Sequence, residues 1–173
     1  MSKNPYQIFK NKDTIMRGRI KVSEQISNHL NKASPDHISI VGPRYIGKTV
    51  LLANVDQYFQ SRKEIFFAKI YWDLRHRIPD SDSDFLAAFA SKIKNGLEHD
   101  YASVADYIDI AEKDIIGMIQ TVFEVIEDDN KKILLILDGF DRILSCADIT
   151  RNLWDNLLAL SRRNSLRFMT ASR

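Results

Sequence analysis

Apolar positions recur along this chain in two rhythms, and the rhythm changes mark its elements. Val22, Ile26 and Leu30 stand four apart, which predicts a short helix over about 20–32. A Ser34-Pro35-Asp36 turn follows. Ile38-Ser39-Ile40-Val41 is then a short β-branched run that stops at Gly42, as a strand feeding a glycine loop would. Val50, Leu51, Leu52, Val55, Tyr58 and Phe59 suit a helix from Lys48 to about Gln60. Ile65 to Trp72 is a second strand candidate, with a polar loop from Asp73 to Asp82 after it. Phe85, Leu86, Phe89, Ile93 and Leu97 mark one helical face, with Ser83 or Asp84 as its cap. Ile115, Ile116, Ile119, Val122, Phe123 and Ile126 mark another, ended by Asp128-Asp129-Asn130. Ile133 to Leu137 is apolar without a break, as expected of a strand covered on both faces. A helix from about Ile149 to Ser161 and a strand from Leu166 to Thr170 complete the series.

Strand, helix, strand, helix, helix, strand, helix, strand is an α/β order. It predicts a three-layer fold, a mostly parallel sheet with helices on both faces. The 173 residues suffice for one domain with a proper core and not for two. Residues 1–34 read as an N-terminal segment and helix, and 35–173 as the layered core. Ligands on such sheets lie at the carboxyl ends of the strands, and two motifs fall at such ends.

The first is Gly42-Pro43-Arg44-Tyr45-Ile46-Gly47-Lys48-Thr49, which matches G-x-x-x-x-G-K-[ST], the P-loop or Walker A pattern. Gly42 and Gly47 let the backbone wrap closely round a phosphate where a Cβ would clash. Successive main-chain N–H groups then form an anion nest, to which the start of the next helix, through Val50, adds its positive end. Lys48 is expected at the β and γ phosphates and the Thr49 hydroxyl on Mg²⁺. The ligand expected is ATP or ADP. No N-K-x-D guanine element is present, which favours adenine.

The second is the strand Ile133 to Leu137 running into Asp138-Gly139-Phe140-Asp141, a Walker B pattern. Asp138 would share Mg²⁺ with Thr49. Many ATPases carry a glutamate directly after this aspartate, and here the position is Gly139. Asp141 is the nearest acid able to act on water; the other reading is a solvated loop acid or partner of Arg142. Hydrolysis is expected to be slow.

Composition narrows the classes. Apolar residues are 45% and charged residues 28% of the chain, a globular rather than a disordered balance. The net charge of +2 exerts no general pull toward nucleic acid. Cys146 is the lone cysteine, which fits a reducing cytoplasm and excludes an internal disulfide. The longest apolar run, Phe85 to Ala90, is far short of a membrane helix, and the first residues lack the apolar stretch of a signal peptide. The expected location is cytoplasmic, with no membrane partner.

Other features carry less. Asp80, Asp82 and Asp84 resemble the start of a calcium loop, but Phe85 and Ser91 stand where glycine and glutamate are needed. Arg75-His76-Arg77 and Arg162-Arg163 with Arg167 read as solvated surface, as nucleic-acid contacts, or as the source of an arginine finger acting on a neighbouring subunit. The four histidines have no zinc spacing. Trp72 and Trp154 fall on element faces and read as core.

Taken together, GPRYIGKT after an apolar strand, LLILDGFDRI and the terminal RFMTASR resemble the STAND class of signal-transduction ATPases. They also resemble archaeal and bacterial ATPases near the origin-recognition branch of the AAA+ superfamily. Asp138-Gly139-Phe140-Asp141 is similar to a NACHT-type Walker B. The resemblance covers about residues 15–173. It implies that Arg173, in Thr170-Ala171-Ser172-Arg173, is the sensor-1 residue reading the γ-phosphate, with Thr170 and Ser172 as lesser contributors. It implies that Gly18 and Arg19, in Ile15-Met16-Arg17-Gly18-Arg19, lie near the adenine, although Arg17 and Ile20 depart from the family's form. Such proteins add a fifth core strand, a helical lid and further modules, so the sequence is expected to be a piece of a longer protein. The function implied is a nucleotide-dependent switch that self-associates. The alternatives are an AAA+ ATPase acting on DNA and a module that binds nucleotide without turnover.

Overall fold

The structure, a computed structural model, describes residues 20–55, 65–109 and 114–173. Its elements in chain order are α1 (Ile20–Leu30), β1 (Ile38–Val41), α2 (Lys48–Ala53), β2 (Ala68–Asp73), α3 (Asp82–Leu97), α4 (Ala102–Ala105), α5 (Ile115–Asp128), β3 (Ile133–Asp138), α6 (Asp141–Leu144), α7 (Arg151–Ser161) and β4 (Leu166–Ser172). The four strands form one sheet in the order β1-β4-β3-β2, and all its pairings are parallel.

Every residue of β3 is buried. Its side chains alternate between two cores, as the two-residue period of a strand requires. Ile133, Leu135 and Leu137 join the larger core with α3, α5 and α7. Leu134 and Ile136 join the smaller one with Ile26 and Leu30 of α1 and Leu51 and Leu52 of α2. The expected α/β layering is therefore present, with helices on both faces. On the larger face α3 lies very close to β2. A Cβ built on Gly96 would fall 2.5 Å from Ile70 Cγ1, so that glycine permits the approach. Trp72 is buried there beside Phe85 (ring centroids 5.0 Å apart), while Trp154 is only partly buried and packs edge-on against Phe140.

Local capping explains where the structure departs from the expected boundaries. α3 starts at Asp82, because Ser81 rather than Ser83 or Asp84 accepts the Asp84 N–H at 3.2 Å. Thr150 caps α7 by accepting the Asn152 N–H, so Ile149 precedes that helix. β2 begins at Ala68, three residues later than expected, and β4 continues through Ser172. The one-turn helices α4 and α6 are too short to show a period. Tyr58 and Phe59, assigned to the helix after the glycine loop, lie outside the described residues.

One basic residue counted as surface is not there. Arg167 is buried on β4, and its guanidinium donates to the carbonyls of Pro35 (2.5 Å), Arg163 (2.7 Å) and Leu166 (2.7 Å). It ties the turn before β1 to β4. Burial pushes its pKa down from the usual arginine value, against the opposing pull of Asp36 and Glu127.

Candidate functional site

Parallel strands that start together end together, so the registers decide what meets. Val41 is opposite Ser172, and Asp73 and Asp138 are opposite each other. Main-chain bonds then staple the strand ends. Gly42 N–H reaches Ser172 O (3.3 Å), Gly139 and Phe140 N–H both reach Ala171 O (3.0 and 2.8 Å), and Leu74 N–H reaches Asp138 O (2.9 Å).

The glycine loop leaves β1 at Gly42 and enters α2 at Lys48. Gly47 has φ 87° and ψ 25°, a left-handed conformation open to glycine at little cost. Tyr45 adopts φ 61°, unfavourable for a residue with a large side chain, and that side chain is fully out in solvent. Gly42 is less constrained than expected: a Cβ there would meet Ile46 Cγ2 at 3.7 Å, ordinary contact within the protein. Leu51 N–H closes on Gly47 O, so the amides of Lys48, Thr49 and Val50 precede the helical ladder. The Lys48 ammonium folds back on the loop and donates to the carbonyls of Gly42 (2.5 Å) and Pro43 (2.8 Å).

This loop forms one wall of a cavity of about 480 Å³. Arg44, Tyr45, Gly47, Lys48, Thr49 and Val50 line that wall, and Asp138, Gly139, Asp141 and Arg173 line the other side together with Arg75. Most of the residues singled out in the sequence therefore meet in one place. Gly42, Pro43 and Ile46 belong to the loop without lining the cavity. Gly18 and Arg19 lie outside the described residues. Thr170 turns to β1, where its hydroxyl donates to Ser39 Oγ (3.1 Å), and Ser172 meets the loop through its carbonyl. Asp141 faces Arg173 (3.6 Å).

Tyr71 and Asp73 escaped sequence reading, and Arg75, read there as part of a surface cluster, belongs to the site as well. Asp138 is buried, which demands partners for its charge. Tyr71 donates its hydroxyl to Asp138 Oδ2 (2.8 Å), and burial together with that bond raises the phenol's pKa above its usual value. The Arg75 guanidinium lies 3.4 Å from the same oxygen. It also donates to Thr49 Oγ1 (2.7 Å) and to both oxygens of Asp73 (2.8 and 2.5 Å). The hydrogen bonds from Arg75 hold the Asp73 carboxyl below its ordinary pKa, and the same pairing raises that of Arg75. A usable signal was present: Ile70-Tyr71-Trp72-Asp73 ends a strand in aspartate, as Leu135-Ile136-Leu137-Asp138 does.

These groups fit a hard divalent cation. The described residues contain no cluster of three or more His, Cys, Asp or Glu able to hold a metal. What converges on the Arg75 guanidinium is the Thr49 hydroxyl and the carboxylates of Asp73 and Asp138, all oxygen donors.

The solved structures similar to this chain share its fold. The Aeropyrum pernix ORC2 protein, in its ADPNP–ADP complexes, aligns with a TM-score of 0.69 at 19% identity, covering 96% of this chain and 44% of that one. Cdc6p from Pyrobaculum aerophilum aligns with a TM-score of 0.63 at 12% identity, over 98% of this chain and 41% of its own. The Walker-type ATPase PABY2304 of Pyrococcus abyssi aligns with a TM-score of 0.56 at 12% identity, over 94% and 46%. The chain thus spans less than half the length of each of these proteins. Among curated proteins no sequence relative matches. No helix among the described residues is long and apolar enough to cross a membrane. The fold shared with these structures is an α/β one, an all-parallel sheet with helices on both faces. Residues 19–173 match the family model described as Nephrocystin 3, N-terminal, and the chain belongs to that family.

Proposed function

We propose that the cleft binds ATP or ADP with Mg²⁺ and hydrolyses ATP slowly, as a nucleotide-dependent switch. The observation that carries this reading is the convergence of Lys48, Thr49, Asp138 and Arg173 on one cavity beside a glycine loop with Gly47 in the left-handed region. The ADPNP and ADP complexes of the ORC2 protein, which has the same fold, support it.

In this reading the amides of Lys48, Thr49 and Val50 hold the phosphates. Lys48 exchanges the carbonyls of Gly42 and Pro43 for phosphate oxygens, a stronger charge-assisted pairing. Thr49 and Asp138 hold Mg²⁺, which when bound neutralises charge on the β and γ phosphates. Arg173 leaves Asp141 to meet a γ-phosphate, so the triphosphate alone gains that contact, and Asp141 is then free to accept a proton from water. Differential contact of this kind is what lets one nucleotide favour a state, including a self-associated one.

The reading as an ATPase acting on DNA has less support. Of its basic cluster, Arg167 is buried, and Arg163 is paired with Glu124 (2.6 Å) and Glu127 (3.9 Å).

Titration with a fluorescent ADP analogue, with and without Mg²⁺, tests the proposal. Wild type is expected to bind and Lys48→Ala to lose at least tenfold in affinity, the scale of one charge-assisted contact. Equal binding by both proteins removes the proposed site.

A further inference from the structure

Arg75 sits between the two residues expected to share a cation. Its Nη1 donates to Thr49 Oγ1 at 2.7 Å, and its Nη2 lies 3.4 Å from Asp138 Oδ2. The side chain is not loosely placed. Asp73 grips it through Nε and Nη2, and its own main-chain N–H also donates to Asp73 Oδ1 (2.9 Å). The strand register puts Asp73 opposite Asp138, so two carboxylates stand together at the carboxyl ends of β2 and β3. Like charges so close call for positive charge, and the Arg75 guanidinium lies against both carboxylates, with His76 Nε2 3.4 Å from Asp73 Oδ2 on the outer side.

The residue after Asp138 makes room for this arrangement. Gly139 has φ +80°, and a Cβ built there would fall 2.6 Å from Arg75 Cγ. A side chain at 139 would force either Arg75 or the backbone to shift. The absence of a side chain after the Walker B aspartate and the presence of arginine over it are thus one structural fact.

We propose that Arg75 is an internal competitor of the divalent cation. In the nucleotide-free state it neutralises Asp138 and Asp73 and occupies the Thr49 hydroxyl, so the cation is admitted only when Arg75 withdraws. This deepens the nucleotide-binding reading and rests on it. Arg75 is a positioning residue: it sets how much divalent cation the site requires. Removing its charge leaves Asp73 and Asp138 with uncompensated negative potential beside a free hydroxyl, an oxygen-donor set suited to Mg²⁺ or Mn²⁺.

Two measurements on the full chain test it, with Arg75→Ala and with Arg75→Gln, which keeps most of the side-chain bulk. The first is the Mg²⁺ concentration giving half-maximal binding of a fluorescent ADP analogue. It is expected to fall in both variants by roughly threefold or more, a modest coupling between sites. The second is Mn²⁺ binding without nucleotide, read by water-proton relaxation, which is expected to tighten in both variants and to return to the wild-type level when Asp138→Asn is added. An unchanged or higher Mg²⁺ requirement in a variant that still binds ADP overturns the competitor role. If no protein binds ADP, the nucleotide reading fails separately, and equal Mn²⁺ binding by wild type and both variants then overturns this proposal as well.

Discussion

The Asp141 carboxylate stands 3.6 Å from Nε of Arg173, and both residues line the cleft that the glycine loop walls on its other side. The acid proposed to act on water and the arginine proposed to sense phosphate are therefore each other's partner. In the proposed mechanism, a γ-phosphate that engages Arg173 releases Asp141.

Replacing Asp141 by alanine is expected to lower single-turnover ATP hydrolysis by about a hundredfold, the usual scale of a lost proton acceptor. ADP affinity should change little, because ADP does not require Arg173 to move. Hydrolysis at the wild-type rate would take Asp141 out of the reaction.

Gly139→Ala is expected to destabilise the fold by about 1–3 kcal/mol, from a disfavoured positive φ and from displacing Arg75. Chemical denaturation checks it. A fully stable variant would mean that the loop relaxes without cost.

Gly96→Ala should cost about 1–3 kcal/mol through overpacking, since its methyl would fall within 2.5 Å of Ile70 on the neighbouring strand. Nucleotide affinity should be retained in the folded fraction, because neither Gly96 nor Ile70 lines the cleft.

Arg167→Met is expected to cost about 3 kcal/mol, because three carbonyls lose their donor inside the protein. Urea unfolding measures this. A loss confined to DNA retention, with stability intact, would return Arg167 to the surface role it first suggested.

His37 gives the fold a pH dependence. Its Nδ1 accepts the Phe168 N–H (3.0 Å), so Nε2 carries the proton and donates to Ser161 O (2.8 Å). That is the neutral ring, and burial lowers its pKa below the ordinary 6.5. A lowered folded-state pKa means that the stabilisation is complete above the unfolded-state value of 6.5. It is lost as pH falls from there through the folded-state value. The melting temperature of wild type should therefore exceed that of His37→Gln by more at pH 7.5 than at pH 5.5. A constant difference between the two proteins would show that His37 does not titrate in this window.

Much of this was legible along the chain. Period and turn chemistry located all four strands and the long helices, because an element that buries one face must repeat its apolar residues at its own geometric interval. The glycine loop was legible for a different reason: its chemistry is carried by consecutive main-chain groups, so spacing alone reports it. The aspartate closing β3 was visible as a buried strand running into an acid. Short helices such as α4 and α6 were not visible, since one turn has no period, and helix starts slipped by two or three residues where Ser81 and Thr150 outcompeted their neighbours as caps.

By itself the sequence determined the class of the fold and the identity of the loop, both of which depend on neighbours in the chain. Tertiary structure alone decided that Asp73 stands beside Asp138, that Arg75 bridges Thr49 and Asp138, that Asp141 answers to Arg173, and that Arg167 is buried. Those relationships come from strand order and register, which join residues tens of positions apart. A charged side chain reads the same along the chain whether it faces water or closes a cleft. Only the strands on either side of it determine which.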